Sequence, residues 1–165
     1  MVISATCTIA VLGIACGRLG FAELPVVDAS QSDGMSCPSN FMTVSGHCYL
    51  YSATSEQWLD AEQQCEATAG AHLAVVDDSA EAAVIVSLQI TEVMWIGASD
   101  RIVEGDYRTV TDQPMYLNWV AGFPTAPEDC VEITGTTGKL KTLSCTNLNQ
   151  FLCEWDGRPV VPANF

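Results

Sequence analysis

A first run of residues has its hydrophobic positions three or four apart, which is typical of one face of a helix. The run consists of Trp58, Ala61, Cys65 and Ala69. Gly70 follows, and glycine commonly stands just after the end of a helix. Thr54 and Gln57 are three residues apart, as in a capping box. We therefore predict a helix that begins after Thr54 and ends at Gly70.

A short strand and a second helix are predicted next. Residues 72–76 are apolar apart from His72, which favours a strand. Asp78 and Glu81 have the spacing of a second capping box. Hydrophobic residues follow at helical spacing, at Val84, Ile85 and Leu88. The second helix is therefore expected to begin at Asp78.

Beyond Glu92 the pattern changes to short segments that are rich in aromatic and β-branched residues. These segments are residues 94–98, 107–110, 116–119, 131–134 and 151–155. Glycine, proline, aspartate and asparagine separate them, as is typical of short strands joined by turns. Two helices beside a collection of short strands predict an α+β fold.

Length and charge limit the classes of protein and partner. The chain has 165 residues, of which 48% are hydrophobic, so we expect one folded domain with its own core. Its formal net charge is −14, from 20 acidic and 6 basic residues. Such a surface repels nucleic acid and anionic membranes. We therefore predict no nucleic-acid partner.

Eight cysteines without CxxC spacing indicate disulfides in an oxidising compartment rather than a zinc site. Residues 2–16 carry no charge and are too few for a membrane span, so we expect residues 1–22 to be a signal peptide. Two alternatives are a bacterial lipoprotein signal with Cys16 as the lipidated residue, and an uncleaved anchor. Residues 23–36 have little apolar periodicity and are predicted to be a flexible leader. Six cysteines then remain, and counting alone leaves fifteen pairings open.

Several segments together carry a family resemblance. In order along the chain they are CPSNFMTVSGHCYLY, WLDAEQQC, MWIGASDRIVEGDYRTV, MYLNW, EDCVEI and LSCTNLNQFLCEW. With the six cysteines, they resemble the long form of the C-type lectin-like domain over residues 37–155, which leaves 156–165 as a short tail. The resemblance implies two helices, two small antiparallel sheets, a long loop region and disulfide stabilisation. It also implies three pairings, namely Cys37–Cys48, Cys65–Cys153 and Cys130–Cys145. Trp95, Trp119 and Phe151 match positions where the resemblance implies core residues.

The resemblance further implies where a sugar ligand binds. The matching positions in this sequence are Phe123, Thr125, Glu128, Lys141 and Thr142. Sugar-binding members hold a calcium ion there through carboxylate and amide oxygens, and calcium takes about six to eight oxygen ligands. Here Phe123 offers no side-chain oxygen, Lys141 brings a positive charge, and Glu128 is the one strong ligand left. We therefore expect the sugar-coordinating calcium site to be absent, so that no cofactor is required. The family also implies a cis peptide bond before Pro124.

The resemblance also implies a second calcium site, which has a structural role in the family. Its matching positions are Asp100, Glu104, Glu128 and Asp129, whose carboxylates could together offer up to about eight oxygens. The alternative is that Asp100 and Glu104 are turn residues beside Gly105. In that case Glu128 and Asp129 are exposed or paired with an arginine.

The remaining chemistry points away from catalysis. His47 adjoins a cysteine and His72 opens an apolar strand, so both histidines are expected to be structural. No phosphate loop, HExxH helix or GxSxG elbow occurs. We predict a secreted, monomeric, non-catalytic recognition domain without a membrane span, which binds carbohydrate in the broad family sense. The alternative is a lectin-like domain that binds a protein through its long loop without calcium, and an ice- or mineral-binding member is a third reading.

Overall fold

A computed structural model of the chain describes residues 36–165. The predicted signal peptide (1–22), the alternative lipidation at Cys16 and the predicted leader up to residue 35 lie outside the described residues. The elements are β1 (Met42–Val44), β2 (His47–Glu56), α1 (Trp58–Glu66), β3 (Ala71–Leu73), α2 (Ser79–Ser87), β4 (Val93–Ser99), β5 (Arg108–Thr109), β6 (Cys130–Thr134), β7 (Lys139–Leu143), β8 (Asn149–Trp155) and a 3-10 turn (Pro162–Asn164). The predicted α+β class with two helices is confirmed.

The strands form a mixed sheet in the order β1-β2-β8-β4-β6-β7, with β3 also paired to β8 and β5 to β4. Every pair is antiparallel except β4 with β8, where Met94 lies opposite Gln150 and Trp95 opposite Phe151. This parallel pair joins two antiparallel parts into one sheet, whereas the family resemblance implied two small sheets. It also places β8 beside β4, the strand that leads into the long loop before β6.

Helix α1 covers one side of the sheet because its apolar face is buried there. Trp58 is fully buried, and its Nε1 donates a hydrogen bond to the carbonyl of Ile96 at 2.8 Å. Trp95 is also buried, and its Nε1 donates to the carbonyl of Glu56 at 2.9 Å. The core position expected for Trp119 is only partly reached, because that residue stays half-buried beside the core.

The three disulfides are Cys37–Cys48, Cys65–Cys153 and Cys130–Cys145, so the predicted pairing is confirmed. The second links α1 to β8 across 88 residues of sequence. The third links the start of β6 to the segment that follows β7, and therefore holds both ends of this hairpin together.

The start of α1 differs from the prediction. Thr54 lies inside β2, which continues to Glu56, so the predicted capping box of Thr54 and Gln57 is wrong. Gln57 is the N-cap, but within the described part of the chain its side chain makes no capping hydrogen bond. The helix is instead fixed by burial of Trp58 and by the hydrogen bond from its backbone N–H to the Cys145 carbonyl at 3.1 Å.

The start of α2 confirms the second capping box in part. Asp78 Oδ1 accepts hydrogen bonds from the backbone N–H groups of Ala80 and Glu81. The Glu81 carboxylate reaches back to the N–H of Asp77 rather than to that of Asp78. Along the rest of the chain, β1, β2 and β7 were not predicted as strands, and residues 116–119 pair with β7 only through a bridge between Trp119 and Leu140.

The segment after β8, predicted as a short tail, packs back on the domain. Val161 N–H donates to the Val110 carbonyl at 2.7 Å, and buried Asn164 donates to the Thr109 carbonyl at 3.0 Å. The Phe165 ring meets the Trp58 ring edge-on, with 5.5 Å between ring centroids. Residues 156–165 therefore contribute to the cover over α1.

Candidate functional site

The long loop between β4 and β6 carries most of the predicted site residues. It crosses over β7, where the Val120 N–H donates to the Leu140 carbonyl and the Leu140 N–H to the Asn118 carbonyl, each at 2.9 Å. The expected cis bond before Pro124 is present, and the bond between Ala126 and Pro127 is cis as well. This course brings the loop residue Thr125 next to β7.

Three of the five predicted ligand-binding residues meet in one hydrogen-bonded group. The Thr125 hydroxyl donates to Oε2 of Glu128 at 3.0 Å and lies 3.1 Å from the Thr142 hydroxyl. The Thr125 backbone N–H also donates to the Thr142 hydroxyl, at 2.9 Å. These oxygens are therefore already engaged with one another inside the protein.

Lys141 and Phe123 take no part in the hydrogen bonds of that group. Side chains alternate along a strand, so Lys141 points to the opposite face of β7 from Thr142. Its register partner on β6 is Glu132, a buried carboxylate that accepts a hydrogen bond from Asn149 at 2.9 Å. Burial raises the pKa of Glu132, and the Lys141 ammonium and this hydrogen bond oppose the rise. The Phe123 side chain is half-buried.

The four acids predicted for a structural calcium ion are brought together in part. Asp100 is buried at the end of β4, its Oδ2 accepts from the Gly105 N–H at 2.8 Å, and its own N–H donates to the Asp129 carbonyl at 3.0 Å. Within residues 36–165, its Oδ1 is buried without a hydrogen-bond partner. Glu128 is bonded to Thr125 instead.

The turn reading of Asp100 agrees with its bond to Gly105. The Arg108 guanidinium lies 2.8 Å from the Asp106 carboxylate. Arg108 therefore pairs with Asp106 rather than with Glu128 or Asp129. In the described part of the chain, the groups whose ligand atoms lie within 4.8 Å of one another are His47 with Glu81 and Glu154, and His72 with Glu154 and Asp156. The four-acid calcium set stays a prediction.

A buried polar cluster is formed by residues of β2, α2 and β8, and the sequence did not predict it. Glu81 and Glu154 are both about 95% buried. Oε1 of Glu81 accepts from the Tyr49 hydroxyl at 2.9 Å, and Nδ1 of His47 lies 3.7 Å from the same oxygen. His72, fully buried, contacts the Leu73 carbonyl and Asp156. Both histidines therefore belong to structural networks, although their acidic partners are distant in sequence.

An aromatic cleft lies beside Pro124, and the sequence did not predict it because Trp119 was expected in the core. The cleft has a volume of about 480 Å³ and is lined by Gly105, Asp106, Tyr107, Met115, Leu117, Trp119 and Pro124. Tyr107 and Trp119 meet edge-on with their ring centroids 5.1 Å apart. Leu117 is 61% exposed at this place.

Comparison with known proteins decides the family. Residues 54–155 match the family model of the lectin C-type domain. This chain belongs to the C-type lectin domain family. It is 32% identical to asialoglycoprotein receptor 2 of Mus musculus over 136 residues, which cover 75% of this chain and 44% of the receptor. It is also 32% identical to snaclec botrocetin subunit beta of Bothrops jararaca over 124 residues, which cover 72% of this chain and 98% of the subunit.

Solved structures agree with this assignment. The carbohydrate-recognition domain of the human scavenger receptor C-type lectin is 29% identical, with a TM-score of 0.66 over 73% of this chain and 99% of that domain. A calcium-independent type II antifreeze protein shares the fold at 23% identity, with a TM-score of 0.66 over 76% of this chain and 96% of the other. The chain spans less than half the length of the mouse receptor and 32% of human C-type lectin domain family 17 member A.

C-type lectin domains are non-catalytic binding domains, and this chain is one of them. Its three disulfides are those of the long form and of an extracellular type of domain. Within residues 36–165, the helices are too short for one of them to cross a membrane.

Proposed function

We propose that this chain is a secreted carbohydrate-recognition domain whose loop site binds its sugar without a calcium ion between protein and ligand. The observation that supports the proposal is the hydrogen-bonded group of Thr125, Glu128 and Thr142. A sugar-bridging calcium needs oxygens that converge on the metal, whereas here the hydroxyls and the carboxylate bond to one another. Phe123 contributes no side-chain oxygen, and Lys141 adds a positive charge.

The same residues suit direct contact with sugar hydroxyls. Glu128 and Thr125 are only partly buried, so solvent and ligand reach them, and they offer a carboxylate acceptor and a hydroxyl that both donates and accepts. Lys141 lies on the other face of β7, so it takes no part in this direct contact. The fold is compatible with a calcium-independent protein, because the type II antifreeze protein of that description has it.

Secretion is supported by the disulfides and by the predicted signal peptide, since disulfides persist in oxidising compartments. Three bridges within residues 37–153 are difficult to reconcile with a reducing cytosol. Terminal sequencing of exported protein tests this part of the proposal and finds the cleavage site. A mature terminus near residue 23 is expected, whereas a lipidated Cys16 supports the anchored alternative.

A glycan array probed with the oxidised full chain, in calcium and then in chelator, tests the sugar proposal. We expect the same glycans to be bound in both buffers, with weaker binding by Glu128→Gln. Glu92→Gln, which changes an exposed acid before β4, is the matched control and should bind as the parent does. Binding that disappears in chelator would contradict the calcium-independent mechanism, and an array without any bound glycan would contradict the carbohydrate proposal.

A structural calcium ion at Asp100, Glu104, Glu128 and Asp129 is a separate proposal. The donor chemistry fits, since carboxylates are calcium ligands and Oδ1 of Asp100 is buried without a partner within residues 36–165. Calcium at about 100 times its dissociation constant would add roughly 2.7 kcal/mol to the free energy of unfolding. Thermal unfolding in calcium and in chelator measures it. A rise in melting temperature that Asp100→Asn removes supports the site, and equal melting temperatures contradict it.

A protein ligand is the second candidate function. It is favoured by the apolar side chains that the long loop exposes, because large apolar residues on a surface often mark a protein contact. Ile102 is 56% exposed, Val103 55% and Leu117 61%.

A further inference from the structure

The aromatic cleft has the size and the apolar lining of a ligand site. Its volume of about 480 Å³ lies within the range of about 300–1,000 Å³ that is usual for ligand sites. Tyr107 and Trp119 form one wall as an edge-on aromatic pair, and Met115 and Pro124 add apolar surface. Leu117 remains 61% exposed beside them, so a ligand that covers it buries apolar area that is now in water.

The surroundings of the cleft are acidic. Residues 100–129 contain six acidic residues and two arginines. Arg108 is held by Asp106 through two hydrogen bonds, at 2.8 and 3.1 Å, so its charge is locally balanced. Burial raises the pKa of the Tyr107 hydroxyl, and the negative charges of Asp100, Glu104 and Asp129 raise it further. The negative potential therefore reaches the wall of the cleft itself.

We propose that this cleft docks a cationic protein segment, which packs one apolar side chain against Tyr107, Leu117 and Trp119. Lysine or arginine residues on either side of that side chain would lie near Asp106 in the lining and near Glu104 and Asp129, whose charges act on Tyr107. Cations also bind favourably over the faces of tyrosine and tryptophan rings. The apolar lining and the excess of acids favour such a partner over a neutral glycan, and the net charge of −14 disfavours an anionic lipid surface.

This docking site makes the second candidate function specific and is independent of the sugar site. None of the five predicted ligand-binding residues, from Phe123 to Thr142, lines the cleft. The two proposals therefore succeed or fail separately: the sugar site responds to Glu128→Gln, and the docking site responds to Leu117→Ser.

The test is fluorescence anisotropy of the oxidised full chain with three labelled heptapeptides. The first has one tryptophan flanked by lysines, the second replaces the tryptophan with serine, and the third replaces the lysines with glutamates. We expect the first to bind roughly tenfold or more tightly than the other two, which corresponds to about 1.4 kcal/mol. Its affinity should fall with added salt, because salt screens charge pairs near a surface.

Variants locate the peptide. Leu117→Ser should weaken binding of the tryptophan peptide several-fold. Leu148→Ser is the matched control, since Leu148 is 67% exposed and lies outside the cleft. Equal binding of the two lysine peptides, or equal effects of the two variants, would overturn the proposal and leave only attraction by net charge. If Leu117→Ser instead changes glycan-array binding and leaves peptide binding unaltered, the cleft is a sugar subsite and the proposal is wrong.

Discussion

Nδ1 of His47 lies 3.6 Å from Oε1 of Glu154, so a partly exposed imidazole covers a carboxylate that solvent hardly reaches. The exposed fractions of the two side chains are 38% and 6%. Glu81 adds a second buried carboxylate beside the same ring, and His72 and Asp156 also lie close to Glu154. Burial of several carboxylates in one place destabilises the folded state unless some of them are protonated.

The first prediction is that the domain becomes less stable as pH rises from about 4.5 to about 8. Burial raises the pKa of Glu154 to about 8 and that of Glu62 to about 7, from the usual 4.5. In that pH window the folded state therefore binds more protons than the unfolded state, and the free energy of unfolding falls as pH rises. The raised pKa of His72 acts in the same direction. Urea unfolding at several pH values, with the disulfides intact, measures the slope.

Two variants show whether Glu154 causes the slope. Glu154→Gln removes the titrating group and should flatten the dependence of stability on pH. Asp60→Asn changes an exposed acid on α1 and should leave the slope as it is. A stability that rises with pH between about 5 and 8 in the parent chain would contradict the prediction.

The second prediction separates the two capping boxes that the sequence suggested. Asp78→Ala removes an acceptor of two backbone N–H bonds and should lower the free energy of unfolding by about 1 kcal/mol. Thr54→Ala changes an exposed strand residue and should stay within about 0.5 kcal/mol of the parent. Chemical denaturation of both variants measures this difference. Equal losses would mean that Thr54 also caps a helix in solution.

Local pattern predicted the fold where one signal dominated. Asp78 was correctly predicted as a helix cap, because its carboxylate oxygen stands just before a helix whose first backbone N–H groups need hydrogen-bond acceptors. Thr54 misled because the same spacing also occurs by chance at the end of β2, where burial of Trp58 and β-pairing outweigh the weak capping preference. The cysteine pairing came from the family resemblance, since counting alone left it open.

The site was less predictable because its parts meet only in three dimensions. The resemblance identified Thr125 and Thr142 as ligand-binding positions. Their hydrogen bonds to each other, however, depend on how the long loop crosses β7. The pairing of His47 with Glu154 depends on the register between β2 and β8, which no local pattern contains. Trp119 was expected in the core, but it is half-buried in the cleft, and its place depends on the bridge between Trp119 and Leu140 of β7.

The third prediction concerns the close approach of β3 and β4. A Cβ added at Gly97 would collide with the Leu73 carbonyl oxygen and with Cγ2 of Val110. The Gly97 N–H also donates to the Ala74 carbonyl at 2.8 Å, so the backbone cannot move away without losing this bond. Gly97→Ala should therefore lower the free energy of unfolding by about 1–3 kcal/mol.

Urea unfolding measures the Gly97→Ala effect against Ala53→Val, which adds volume at an exposed position of β2. The control should remain within about 0.5 kcal/mol of the parent. A neutral Gly97→Ala would show that β4 can move away from β3 at no cost, and would contradict the tight packing of these segments.

The last prediction ranks two disulfides. Cys65–Cys153 closes a separation of 88 residues, whereas Cys37–Cys48 closes one of 11. The entropy that a crosslink removes from the unfolded chain grows with loop length, which gives roughly 4–5 kcal/mol for the first bridge and roughly 3 kcal/mol for the second. Replacing both cysteines of each pair with alanine and comparing melting temperatures tests the order. The Cys65/Cys153 variant should melt lower, also because both of its cysteines are buried between α1 and β8. If the Cys37/Cys48 variant melts as low or lower, the bridge beside β1 contributes native contacts that loop entropy does not describe.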